Sequence, residues 1–179
     1  HSDLDLVFLY EGDPQDVETF TIYQSFARSI QEFLEETTSE GFAYRIDTRL
    51  RPEGSKGALA LPRCAFESYL ENRAELWERL AWTRYRFLIG SPEMAVKIDA
   101  AVSGFVYNSW DDRIPSYMET IRLRMERELA QETTQPRFNF KIGKGGLTDI
   151  DFLLQLIQVH EGRERSEFQV PGTQCLLAH

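Results

Sequence analysis

Polar and apolar positions first set out two extended runs separated by an amphipathic helix. Leu4, Leu6, Val7, Phe8 and Leu9 make residues 1–10 read as a strand, closed by the turn Glu11-Gly12-Asp13-Pro14. Phe20, Tyr23, Ala27, Ile30 and Leu34 recur at helical spacing and predict a helix over about residues 17–36. Residues 37–41 break it. Phe42, Tyr44 and Ile46 alternate with polar residues, which predicts a second strand over 42–50. A polar, glycine-bearing loop covers residues 51–57, and residues 58–61 form an apolar piece that suits a third strand.

After Pro62 the pattern turns helical. Phe66, Tyr69, Leu70, Leu76, Trp77, Leu80, Ala81 and Tyr85 share helical spacing, with room for a break near Asn72. Glu75 and Arg79 are set for an i,i+4 ion pair on this helix, and Arg84 and Arg86 extend its charged face. Trp77 is the large aromatic expected in its core. Ser91-Pro92 is a cap followed by proline at the first helical position, opening a helix to about residue 103. Ile114-Pro115 opens another, with Met118, Ile121, Met125 and Leu129 on one face. Phe138, Phe140 and Ile142 alternate, predicting a short strand over 137–142. The turn Gly143-Lys144-Gly145-Gly146 then leads into a strongly apolar helix over 147–160, ended by Gly162. The class is α+β with helix dominating. Residues 1–61 form a sheet region; residues 62–179 form a helical region continuing the same unit, with a short strand and glycine-rich turn near 138–146.

Composition narrows the function. Hydrophobic residues make up 42% and aromatic residues 12%, enough for a real core. The net charge of −9 argues against a general nucleic-acid binder, although metal ions and local arginines can still hold a nucleotide. No stretch approaches the ~20 apolar residues of a membrane helix. Cys64 and Cys175 have no metal-like spacing and suit reduced thiols in a cytoplasmic protein. The first residues already read as strand, so the chain is expected to be one piece of a longer protein.

Three aspartates carry the candidate chemistry. Asp3 and Asp5 share one face of the first strand, with Cα atoms about 7 Å apart. Alone, such a pair reads as solvated edge residues. Here it opens an apolar run, and Asp47 sits inside another. If the two strands pair, three carboxylates converge and repel one another. Oxygen-only ligands favour Mg²⁺ or Mn²⁺, ions that can clamp the oxygens of a phosphoryl transfer. Arg45, Arg49 and Arg51 lie close by and suit either phosphate binding or ion pairing with the acids. The turn at 143–146 lacks the spacing of a phosphate-binding P-loop and reads as an ordinary tight turn, with Lys141 before it and Lys144 within it. Asp149 reads as complementing the helix dipole.

Four separated segments together resemble a known family. Ser2-Asp3-Leu4-Asp5-Leu6-Val7-Phe8 is similar to the first active-site strand of nucleotidyltransferases of the polymerase-β type. Residues 44–57 (Tyr44-Arg45-Ile46-Asp47-Thr48-Arg49-Leu50-Arg51-Pro52, then Gly54 and Gly57), residues 75–86, and residues 138–155 are more specific. In that order they resemble the glutamine synthetase adenylyltransferases. The resemblance implies a nucleotidyltransferase fold and an enzyme with two homologous halves. One half transfers AMP from ATP to a tyrosine of glutamine synthetase; the other removes it by phosphorolysis. A PII signalling protein and glutamine set the balance. It implies Asp3, Asp5 and Asp47 as catalytic, metal-binding carboxylates, and Ser2, Arg49, Arg51 and Lys141 as nucleotide contacts. Gly146-Leu147-Thr148-Asp149-Ile150 is more similar to the adenylylating half, whereas Phe105-Val106-Tyr107 is similar to the deadenylylating one. Lys144 and Thr148 stand where the family often has arginine, and Asp151 where it more often has glutamate. The other class of reading is a non-catalytic regulatory or protein-interaction module on the same fold.

Overall fold

A computed structural model describes residues 3–42, 44–130 and 139–176. The chain divides into two compact units, residues 1–74 and 75–179. The division falls one helix beyond Pro62.

In the first unit the opening segment is not one strand but two, β1 (Leu4–Asp5) and β2 (Phe8–Tyr10). Helix α1 spans Val17–Glu35 and starts where the Asp16 carboxylate accepts the backbone N–H groups of Glu18 and Thr19. A hairpin follows, β3 (Thr37–Thr38) against β4 (Gly41–Phe42), and then β5 (Ile46–Asp47). The single strand expected over 42–50 is therefore broken: Phe42 pairs within the hairpin and Ile46–Asp47 form β5. Strand β6 (Ala60–Pro62) runs into helix α2 (Arg63–Asn72). Segment 4–10 pairs in parallel twice, β1 with β5 and β2 with β6.

The apolar residues of β2 and α1 meet in the core of this unit. Tyr10, Ala27 and Ala60 are buried together with Phe8 and Leu59 packed against them, and the Tyr10 and Tyr23 rings stack 4.3 Å apart. A polar residue on α1 ties the sheet to the helix. The Gln24 side-chain amide donates to Ala60 O at 2.6 Å, and its oxygen accepts Leu59 N at 2.7 Å and Ala60 N at 3.2 Å. Removing it strands backbone groups in a part-buried place. Gln24→Ala is expected to destabilise the first unit by about 2 kcal/mol, read from urea unfolding.

The second unit is helical: α3 (Leu76–Trp82), α4 (Pro92–Tyr107), α5 (Ile114–Met125), α6 (Leu147–Glu161) and α7 (Thr173–Leu176). The helical run expected across residues 66–85 does break near Asn72, as its spacing allowed: one helix stops there and the next starts at Leu76, so Arg84 and Arg86 lie beyond the end of α3. The restart is a capping box in which Glu78 reaches back to the Glu75 backbone N–H at 3.0 Å. Glu78 is only 3% exposed, and this bond gives its carboxylate a donor. The new start also fixes which positions face inward. Leu80 and Trp82 are buried, Trp82 at 6% exposure, whereas Trp77 is 38% exposed and donates its indole N–H to Glu75. Trp77 is thus not the core aromatic.

Helix α4 begins at the expected Ser91 cap, whose hydroxyl accepts Met94 N, with Pro92 at its first position. Ile98, Val102 and Val106 of α4 join Ile114, Met118, Leu154 and Val159 in the core. Residues 126–130 continue α5 as a π-helical turn. Of the strand expected over 137–142, Phe138 lies outside the described residues and Phe140 and Ile142 sit in a turn.

Candidate functional site

The parallel ladder between β1 and β5 places Asp5 directly opposite Asp47 and Leu4 opposite Ile46. Leu4 N donates to Arg45 O and Leu6 N to Asp47 O, both at 2.8 Å, which fixes this register. Neighbouring residues in register point to the same side of a sheet. The pairing therefore sets two carboxylates on one face. Asp3, two residues upstream of Asp5, is exposed and near enough to act on it. An acceptor at the end of α1 holds β5 in place: Glu35 Oε1 takes the Ile46 N–H at 3.1 Å. Nothing in the periodicity marks Glu35. Its one signal is an acidic group in the last turn of a helix, where the macrodipole disfavours it. Asp3, Glu35, Tyr44, Arg45 and Ile46 line an open cleft of about 390 Å³ beside the ladder.

The electrostatics follow from this closeness. Burial, then Asp47, push the Asp5 carboxyl above its ordinary value; Arg49 opposes the rise and Asp3 adds to it. Asp47 is held below its ordinary value, chiefly by its hydrogen bonds from Arg49. The Arg49 guanidinium grips both Asp47 oxygens, Nε lying 3.0 Å from Oδ1 and 2.8 Å from Oδ2, with Nη2 on Oδ2 as well. Arg49 N also donates to Oδ1 at 2.8 Å. Among the described residues no three histidine, cysteine, aspartate or glutamate side chains are gathered into one metal-holding group.

Arg51 has a different task. Its guanidinium donates to Thr48 O and Oγ1 at 2.6 Å, Gly57 O at 3.1 Å and Ser55 O at 3.3 Å. It braces the loop after β5 from inside. Gly57 completes that loop, because a Cβ there would stand 2.0 Å from Pro52 O. Ser2 lies outside the described residues.

Lys141 belongs to the second unit, exposed on the turn before α6. Several amides of that turn and of the helix start are already committed. Leu147 N donates to Phe140 O and Thr148 N to Lys141 O, both at 2.9 Å, and Gly145 N donates to the Asp149 carboxylate at 2.6 Å. Gly146 admits no side chain there, with Gly143 O and Phe140 O each 2.8 Å from where its Cβ would be. This is a tight turn, as the sequence suggests. The sequence did not reveal its clasp: buried Arg122 on α5 pairs with Asp149 and donates to Gly143 O at 2.8 Å. Similarly, Arg84 pairs with Asp151 at 2.8 Å, which also accepts from Thr173. Long-range partners of this kind leave no mark in local spacing.

Comparison with known proteins matches residues 1–101 to the model of the glutamate-ammonia ligase adenylyltransferase family. Three similar relatives each carry the name bifunctional glutamine synthetase adenylyltransferase/adenylyl-removing enzyme. That of Psychromonas ingrahamii is 31% identical over 96% of this chain and 19% of its own length. That of Neisseria meningitidis serogroup A is 32% identical over 98% and 20%, and that of Methylococcus capsulatus 35% over 86% and 17%. The chain spans about a fifth of the length of these relatives. Among the described residues no helix is long and apolar enough to cross a membrane. With a family match over more than half its residues, the chain belongs to the glutamate-ammonia ligase adenylyltransferase family.

Proposed function

We propose that this chain carries part of a nucleotidyl-transfer centre that moves AMP from ATP onto a tyrosine of glutamine synthetase. The observation that supports it most is the β1–β5 register, which sets Asp5 opposite Asp47 in a member of this family. The donor chemistry fits a hard divalent cation, since carboxylate oxygens on adjacent strands are what Mg²⁺ or Mn²⁺ takes. Asp3, Asp5 and Asp47 are its proposed ligands. When bound, the ion would neutralise charge on the phosphates and orient them for in-line attack. Arg49 is exposed over Asp47 and is a proposed phosphate contact. Arg51 shapes the loop that presents it and is itself a proposed nucleotide contact on the family pattern. Ser2 and Lys141 are further proposed contacts on the family pattern.

The adenylylating direction is favoured by Gly146-Leu147-Thr148-Asp149-Ile150; the alternative is phosphorolytic removal of the same AMP. A PII signalling protein and glutamine are the proposed regulators of the full-length protein, and the cytoplasm is its proposed setting. A non-catalytic module on the same fold has one observation in its favour, the grip of Arg49 on both oxygens of Asp47. Calorimetric titration of ATP with Mg²⁺ separates the readings, on this chain and on the full-length protein. Metal-dependent binding that disappears in Asp3→Ala/Asp5→Ala supports the transfer centre. Absence of binding in both proteins would leave the non-catalytic reading.

A further inference from the structure

The grip of Arg49 on Asp47 is lopsided. The Asp47 side chain is 15% exposed, whereas that of Arg49 is 77% exposed. The acid is fixed in the ladder and the loop, and the base lies over it from the solvent side. Asp47 Oδ1 is further tied by the Arg49 backbone N–H, which holds the carboxylate in place whatever the guanidinium does. The guanidinium is a long exposed arm whose hydrogen bonds among the described residues go to this one carboxylate. Arg51 is the contrast: its guanidinium is tied to backbone carbonyls of its own loop.

We infer that Arg49 is the resident counter-cation of the carboxylate site, competing with a divalent ion for the oxygens of Asp47. This rests on the reading that Asp5 and Asp47 take a metal. Without an ion, Arg49 compensates a largely buried carboxylate that faces Asp5 across the ladder. An arriving ion must displace a forked, charge-assisted contact and then sit near the displaced positive charge. Both effects weaken retention of a bare ion.

The test is Mn²⁺ binding to the 179-residue chain without nucleotide, read from the free-ion electron paramagnetic resonance signal. Arg49→Gln is expected to bind Mn²⁺ roughly five- to tenfold more tightly than the unaltered chain, as removal of a unit charge some 5 Å from a divalent ion implies. The gain is expected to vanish in Asp47→Asn/Arg49→Gln. Arg49→Lys keeps the charge, loses the fork and is expected to gain less. Equal or weaker binding by Arg49→Gln, or a gain that survives loss of Asp47, overturns the inference while leaving the metal site intact. No binding by either the unaltered chain or Arg49→Gln overturns the inference together with the metal-site reading beneath it.

Discussion

Asp5→Asn is expected to lower AMP transfer by the full-length protein at least about a hundredfold, the scale for losing one group that stabilises transition-state charge. The amide keeps the size of the carboxylate, and the backbone bonds of Leu4 and Leu6 that set the register are untouched. The same variant is expected to melt slightly higher than the unaltered chain near pH 7 in the presence of a chelator. The sign follows from the direction of its shift. Asp5 has a folded-state value above its unfolded one, because of burial and of Asp47. Its ionised form therefore costs stability at neutral pH. The cost falls away as pH drops through the raised value and is gone below the ordinary carboxylate value. The stability difference between the two proteins should accordingly shrink to nothing near pH 3, as followed by thermal melts across pH. Activity lost with stability gained marks a group retained for chemistry. A variant that loses activity by unfolding would instead make Asp5 structural.

The second large effect is in the helical unit. Trp82→Ala is expected to cost about 3–5 kcal/mol in urea unfolding, the range for emptying the place of a large buried aromatic. Trp82 is 6% exposed at the end of α3, beside the equally buried Leu80. Trp77→Ala is expected to cost less than about 1 kcal/mol, since 38% exposure leaves little to lose beyond its bond to Glu75. The two tryptophans stand on one short helix. Reversed magnitudes would mean that α3 is rotated about its axis.

These two residues also show where the sequence was legible. Local signals read well. Ser91-Pro92 starts α4, the spacing of Phe20, Tyr23 and Ala27 gives α1, and Gly162 follows the end of α6. Each depends on groups within a turn or two of one another. The phase of α3 did not read well, because apolar spacing runs on through the interruption after Asn72. A break near Asn72 was legible, but where the next helix restarts becomes visible only when Glu78 is recognised as capping Glu75. The strands were legible in place but not in extent. Pairing partners lie some forty residues away, so a continuous apolar run says nothing about where the ladder stops. Within the site, residue types named the three aspartates but could not tell Arg49 from Arg51. One lies exposed on a carboxylate and the other is enclosed by its own loop.

The brevity of β1 and β5 has a thermodynamic meaning. Each contributes two residues to a ladder that carries Asp5 and Asp47, while β2 and β6 join over three residues beside the buried Tyr10 and Ala60. The candidate site therefore rests on a ladder with little cooperative protection, where local opening requires little free energy. A ligand that engages both aspartates at once cross-links two otherwise weakly joined segments. Occupancy and local order are then one equilibrium: saturation slows exchange of the Leu4 and Leu6 amides, and anything that frays the ladder lowers affinity by the same factor.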